Sequence, residues 1–134
     1  ALGRSFLRMS KRETPMTLRY WEKVGGTIVE EFSAIPRGQN DGARILDAVI
    51  IPDGPKMRAK KSEVEIEGKD IIVVQTKAKR LGMYLMGQVV FSAELMKRYK
   101  PRSIKSVALC KRGDSVLEPL LEAYENVEVV IDSA

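Results

Sequence analysis

Three polar side chains, Asp47, Gln75 and Lys77, interrupt the apolar, β-branched stretches "RILDAVII" and "DIIVVQTK". A charged group in such a stretch is costly to bury without a partner. If the two stretches are neighbouring strands, the three groups can meet. A carboxylate and an amide oxygen are both hard ligands suited to Mg2+. Gln75 and Lys77 lie two residues apart, so a strand puts them on one face. That sets an ammonium beside a metal and the water it would activate. The plainer alternatives are an ion pair between Asp47 and Lys77 or Arg44, and a strand end from which Lys77 reaches solvent.

The chain contains no histidine and one cysteine, Cys110. Ser–His and Cys–His nucleophilic catalysis are therefore excluded. A cysteine-based zinc site is excluded too, because its tetrahedral shell could not be filled. Cys110 cannot form an internal disulfide, which points to a reducing compartment, and reads as a small buried residue. Chemistry here would rest on carboxylates, amides, lysines and water around a hard metal.

These side chains need elements to position them. The 134 residues predict one domain, with 1–13 as a flexible basic terminus that lacks the apolar run of a secretory signal. "PMTLRYWEKV" reads as a first helix, capped by Thr14 and ended by Gly25-Gly26. Strands are predicted over 27–35 and 44–51. "SEVEIEGKDIIVVQTK" reads as a hairpin turning at "EGKD". A helix over 84–99 follows, apolar almost all round. Then come a strand (103–111), a helix (114–124) capped by Asp114, and a strand (127–131). The order α-β-β-β-α-β-α-β implies an α/β fold. Three strands form a meander, and two more join in parallel through helical crossovers, giving one mixed central sheet flanked by helices. Trp21 and Phe91 are expected in the core, with base stacking as the alternative.

"ILDAVI", then "VVQTKAK", then a helix carrying Gln88 in "MGQVVFSAEL" resembles the PD-(D/E)XK, or restriction endonuclease-like, nuclease superfamily. The likeness covers residues 15–111. It implies that Asp47 is the central metal ligand, that Gln75-Thr76-Lys77 stands in place of the acid-x-Lys pair, and that Gln88 is the glutamine of the following helix. It also implies an acid from the first helix, for which Glu13 fits better than Glu22. Gln75 departs from the commoner Glu or Asp, so it can still ligate through its amide oxygen but adds no negative charge.

The resemblance implies a Mg2+- or Mn2+-dependent deoxyribonuclease, endo- or exonucleolytic, cleaving DNA phosphodiester bonds. Asp47, Gln75, Lys77 and Gln88 would be catalytic, with Asp47, Gln75 and Glu13 on the metal. A nuclease-like module that binds nucleic acid or assembles complexes without cleavage is the alternative. The net charge of +5 and pI near 9.4 are compatible with a polyanionic partner. Lys60, Lys61, Lys79 and Arg80 are the candidate phosphate contacts. The expected partners are DNA and a second copy of the chain as a homodimer, with no membrane and a cytoplasmic location.

Overall fold

The computed structural model of the chain describes residues 10–38 and 42–134. Residues 1–9 of the basic terminus lie outside that range. Its last residues do not form a tail but start the first helix, α1 (Glu13–Val24). Ser10 caps it. Its Oγ accepts from Glu13 N (3.2 Å) while Glu13 Oε1 accepts from Ser10 N (3.2 Å). This reciprocal pair replaces the expected Thr14 cap, because "SKRE" holds the capping-box spacing. Thr14 instead sits inside the helix, with its hydroxyl donating to Ser10 O.

Among the described residues six strands follow: β1 (Thr27–Ile35), β2 (Arg44–Ile51), β3 (Met57–Arg58), β4 (Asp70–Arg80), β5 (Ser103–Arg112) and β6 (Val127–Ile131). Helix α2 (Met83–Met96) joins β4 to β5, and the short α3 (Leu117–Glu122) joins β5 to β6. They form one mixed sheet in the order β3-β1-β2-β4-β5-β6. β1, β2 and β4 are antiparallel neighbours, while β5 and β6 continue in parallel. The meander and the parallel crossovers are as expected.

The hairpin is not. Residues 62–67 form no strand; a 3-10 turn at Lys61–Glu63 leads into an irregular segment. The turn into β4 is closed by Lys69 N on Ile66 O (3.0 Å), and Asp70 already belongs to the strand. β4 has β2 on one side and β5 on the other, so no edge is left for a hairpin partner. Val64 and Ile66 are spent instead on the core beside Phe32 and Val73.

Helix α1 covers one face of the sheet, packing Met16, Tyr20 and Trp21 on Ile28, Ile50, Ile72, Val74 and Leu109. Trp21 is buried, and its indole N–H donates to Gly26 O (2.8 Å). The opposite face carries two clusters. Val29, Phe32, Leu46, Val49 and Val73 gather in one; Ala108, Cys110 and Leu121 pack under Leu85 and Val89 of α2 in the other. Helix α3 is shorter than the expected 114–124, but Asp114 does lead into its N-terminus, its Oδ1 accepting from Val116 N and Leu117 N. No helix among the described residues is long and apolar enough to cross a membrane.

Candidate active site

The β2–β4 ladder pairs Ile50 with Ile72, Val49 with Val73 and Ala48 with Val74, and then stops. The next residues are Asp47 and Gln75. Beyond this point side chains bridge the gap. Asp47 N donates to Gln75 Oε1 (3.2 Å), and Asp47 Oδ2 accepts from Thr76 N (2.7 Å). Glu13 Oε2, reaching down from α1, accepts from Ala78 N (3.3 Å). Thr76 and Ala78 are two residues apart, so their N–H groups leave the same strand edge about 7 Å apart. Both meet a carboxylate where a neighbouring strand would have offered carbonyls.

β1 and β2 are irregular at the same level. In a regular strand, residues three apart face opposite ways. Yet Val29 shares one core cluster with Phe32, and Val49 shares it with Leu46. The break falls at Glu31, whose φ is 50°, and at Asp47, which lies across from it in the gap between Glu30–Ala48 and Phe32–Leu46. Left-handed backbone at a non-glycine residue is uncommon. Here it turns both strands together and frees Asp47 from the ladder.

The remaining partners fix Gln75. Its side chain is only 4% exposed. Its Nε2 donates to Ser92 Oγ of α2 (2.6 Å), which leaves the amide oxygen directed at Asp47. On the α1 side, the Thr76 and Thr17 hydroxyls share a hydrogen bond of 2.8 Å. Lys77, half-buried, follows Gln75 on the same row of β4.

The site is electrostatically unsatisfied as a carboxylate site. Burial pushes the Asp47 carboxyl up to about 7; the Thr76 N–H bond opposes this, Glu13 and Glu31 push further up, and Lys77 pulls down. Two neighbouring acids and a desolvated third create a place where a cation gains. Among the described residues, Asp47 forms no ion pair, and Arg44 donates to Ala43 O instead. Asp47 Oδ1 takes no hydrogen bond among those residues. The donors available are all hard oxygens, which fits Mg2+ or Mn2+. No three Asp, Glu, Cys or His side chains among the described residues are gathered as tightly as a formed metal-binding group.

Other candidate residues fall in varied places. Glu22 pairs with Lys56 (2.7 Å), away from Asp47. Gln88 is exposed on α2 and lines, with Gln75 and Ser92, a cleft of about 530 Å3 walled by Leu46 and Phe91. Lys79 and Arg80 are exposed at the end of β4. Lys60 is exposed, but Lys61 is committed: its ammonium donates to Ser33 O (2.7 Å) and Tyr99 Oη (2.9 Å) and lies 5.1 Å from the rings of both Phe32 and Tyr99. Phe91, expected in the core, is 68% exposed, because α2 buries the adjacent stripe Leu85, Val89, Ser92 and Met96. Glu31, Thr76 and Ser92 are further members of the site. The one sequence signal for Glu31 is the acid pair that breaks the alternation of "TIVEEFSAI".

Compared with family models, with curated proteins and with solved structures, the chain matches none.

Proposed function

We propose that the chain is a metal-dependent nuclease of the restriction endonuclease-like type, hydrolysing phosphodiester bonds in DNA. The observation that carries this reading is the opened β2–β4 edge. There Asp47 and the Gln75 amide oxygen are held together, Glu13 approaches from α1, and Lys77 follows on the strand. Asp47, Glu13 and Gln75 Oε1 would hold Mg2+ or Mn2+. Such an ion, when bound, supplies Lewis acidity to a phosphoryl oxygen and lowers the pKa of water.

The chain's own groups do the rest. Lys77 orients the attacking water and offsets charge on the phosphate. Gln88, on the same cleft as Gln75, contacts a neighbouring phosphate oxygen. Lys79 and Arg80 track the backbone beyond Lys77, and Lys60 adds a more distant contact. Ser92 keeps the Gln75 amide oxygen turned towards Asp47, and Thr17 steadies Thr76 between the two carboxylates. A reducing compartment such as the cytoplasm suits the single buried thiol, which burial pushes up to about 11.

The second reading, a module that binds nucleic acid without cutting it, is favoured by one feature: Gln75 contributes no charge. Plasmid and oligonucleotide cleavage assays with Mg2+, Mn2+ or EDTA separate the two. The nuclease reading expects metal-dependent cleavage that Asp47→Ala and Lys77→Ala each abolish. Lys77→Ala should still bind metal by calorimetry. A parent protein with neither cleavage nor metal binding would leave the module reading standing.

A further inference from the structure

Helix α2 exposes two aromatic rings on one line. Tyr84 is 77% and Phe91 68% exposed, and with Gln88 between them they follow the four-then-three spacing of a single helix face. All three line the cleft that ends at Gln75. Isolated exposed apolar residues are ordinary, but two rings facing one cleft with a buried polar inner end are not.

The character of the cleft decides what would lie on them. Its walls are largely apolar, from Ile45, Leu46 and Leu95 beside the two rings; its inner end is polar at Gln75 and Ser92, and Arg44 and the exposed Gln88 also line it. Lys77 and Lys79 continue the Gln75 row along β4. The acid that lines it, Glu94, is ion-paired with Lys97. An apolar peptide or a second copy of α2 would leave Gln88, Arg44 and the two lysines without use. Flat π-systems on an anionic backbone would use all of them. The seven residue steps from Tyr84 to Phe91 rise about 10.5 Å along the helix, roughly three nucleotide steps at about 3.4 Å each. Base faces are hidden inside a duplex, so only an unpaired strand can stack on side chains.

We infer that the Tyr84–Phe91 face of α2 is a stacking platform for unpaired bases, making single-stranded DNA the preferred partner of the cleft. The inference rests on the reading of the Asp47 side as a DNA site and names its substrate class. Gln88, between the rings, is then the contact to a phosphate that links the stacked bases.

The test is fluorescence anisotropy in EDTA, so that binding is read without cleavage, with a labelled oligothymidylate and a duplex of matched length. The wild-type protein should bind the single strand more tightly. Tyr84→Ala and Phe91→Ala should each weaken single-strand binding by roughly 5- to 150-fold, the factor equivalent to about 1–3 kcal/mol per stacked base. Duplex binding should change little. Tyr84→Phe and Phe91→Trp should retain single-strand affinity. The rings are exposed, so melting temperatures should not move. Single-strand affinity that is absent, or that survives the double alanine variant, overturns the platform. So does a sedimentation result in which the double variant turns a dimer into monomers with oligothymidylate affinity unchanged, since the face would then be a self-interface. If cleavage requires Asp47 and Lys77 while the double variant binds as wild type, the platform fails and the nuclease reading survives. If stacking behaves as stated but no metal-dependent cleavage exists, the platform survives and the nuclease reading fails.

Discussion

Replacing Asp47 by Asn should stabilise the metal-free protein, and more so at high pH. The carboxyl has an ordinary value of 3.8 and is pushed up to about 7 in the fold, first by burial and then by Glu13 and Glu31. Between those values the folded state keeps a proton that the unfolded state has released. Stability is therefore complete below about pH 4, falls as pH rises towards 7, and levels off above that. A displacement of about three pKa units is worth on the order of 4 kcal/mol at most. Asn keeps an oxygen for Thr76 N and removes the titration. Urea denaturation in EDTA at intervals from pH 5 to pH 8 should show the Asn variant gaining on the wild type up to about pH 7, with the difference then levelling off. Other carboxylates, such as Asp70 held low by Arg102, tilt both curves alike and cancel in the difference. Excess Mg2+ should then narrow the gap at pH 8, since a ligand at about 100 times its Kd adds roughly 2.7 kcal/mol to the protein that binds it. Parallel curves for the two proteins would refute the burial argument. An Asn variant less stable at pH 8 than the wild type in EDTA would mean that Asp47 is ion-paired, not isolated.

Gln75→Glu should lower metal-free stability, by adding a further acid beside Asp47, and should steepen the stabilisation by Mg2+ measured in thermal melts. Charge reversal at Lys79 and Arg80 should flatten the dependence of DNA affinity on salt, by roughly one unit of slope for each phosphate that is no longer neutralised. Lys61→Glu should act differently, lowering the melting temperature, because its ammonium is held by Ser33 O and Tyr99 Oη. Gly26→Ala should destabilise strongly in chemical denaturation, since φ is 78° and an added Cβ would stand 2.3 Å from Ile51 O.

Much of the scaffold is legible in local pattern. The strands at Thr27–Ile35, Arg44–Ile51 and Val127–Ile131 have the bounds their β-branched runs imply, and Gly25 and Asp114 mark helix ends through chemistry that needs no tertiary context. The misreadings share a cause. "SEVEIE" alternates like a strand, but alternation cannot say whether a sheet edge remains to receive it. Helix α2 is apolar almost all round: the spacing of Leu85, Val89 and Met96 marks the stripe that is buried, but nothing local shows that Phe91 lies exposed off it. Asp47 and Gln75 could be placed together from strand adjacency. Glu31 could not, because its part depends on a positive φ that no residue type there announces.

The local exceptions around Asp47 have one geometric origin. Had β2 and β4 stayed paired past Ala48 and Val74, the N–H groups of Thr76 and Ala78 would have faced strand carbonyls, and Asp47 would have been one more residue of a ladder. The break in alternation at Glu31 and Asp47 ends that pairing. The exposed N–H groups then need acceptors, because backbone donors left unpaired inside a fold cost about as much as a lost hydrogen bond. Asp47 and Glu13 fill that need with one oxygen each. The arrangement gathers carboxylates at the mouth of the opened edge. Its cost appears in the raised carboxyl of Asp47. A neutral residue at position 75 moderates that cost: Gln75 accepts from Asp47 N as a carboxylate would, but adds no further charge beside the desolvated Asp47. On the proposed reading of Asp47 and Glu13 as metal ligands, Gln75→Glu is therefore expected to shift stability and metal response in opposite directions.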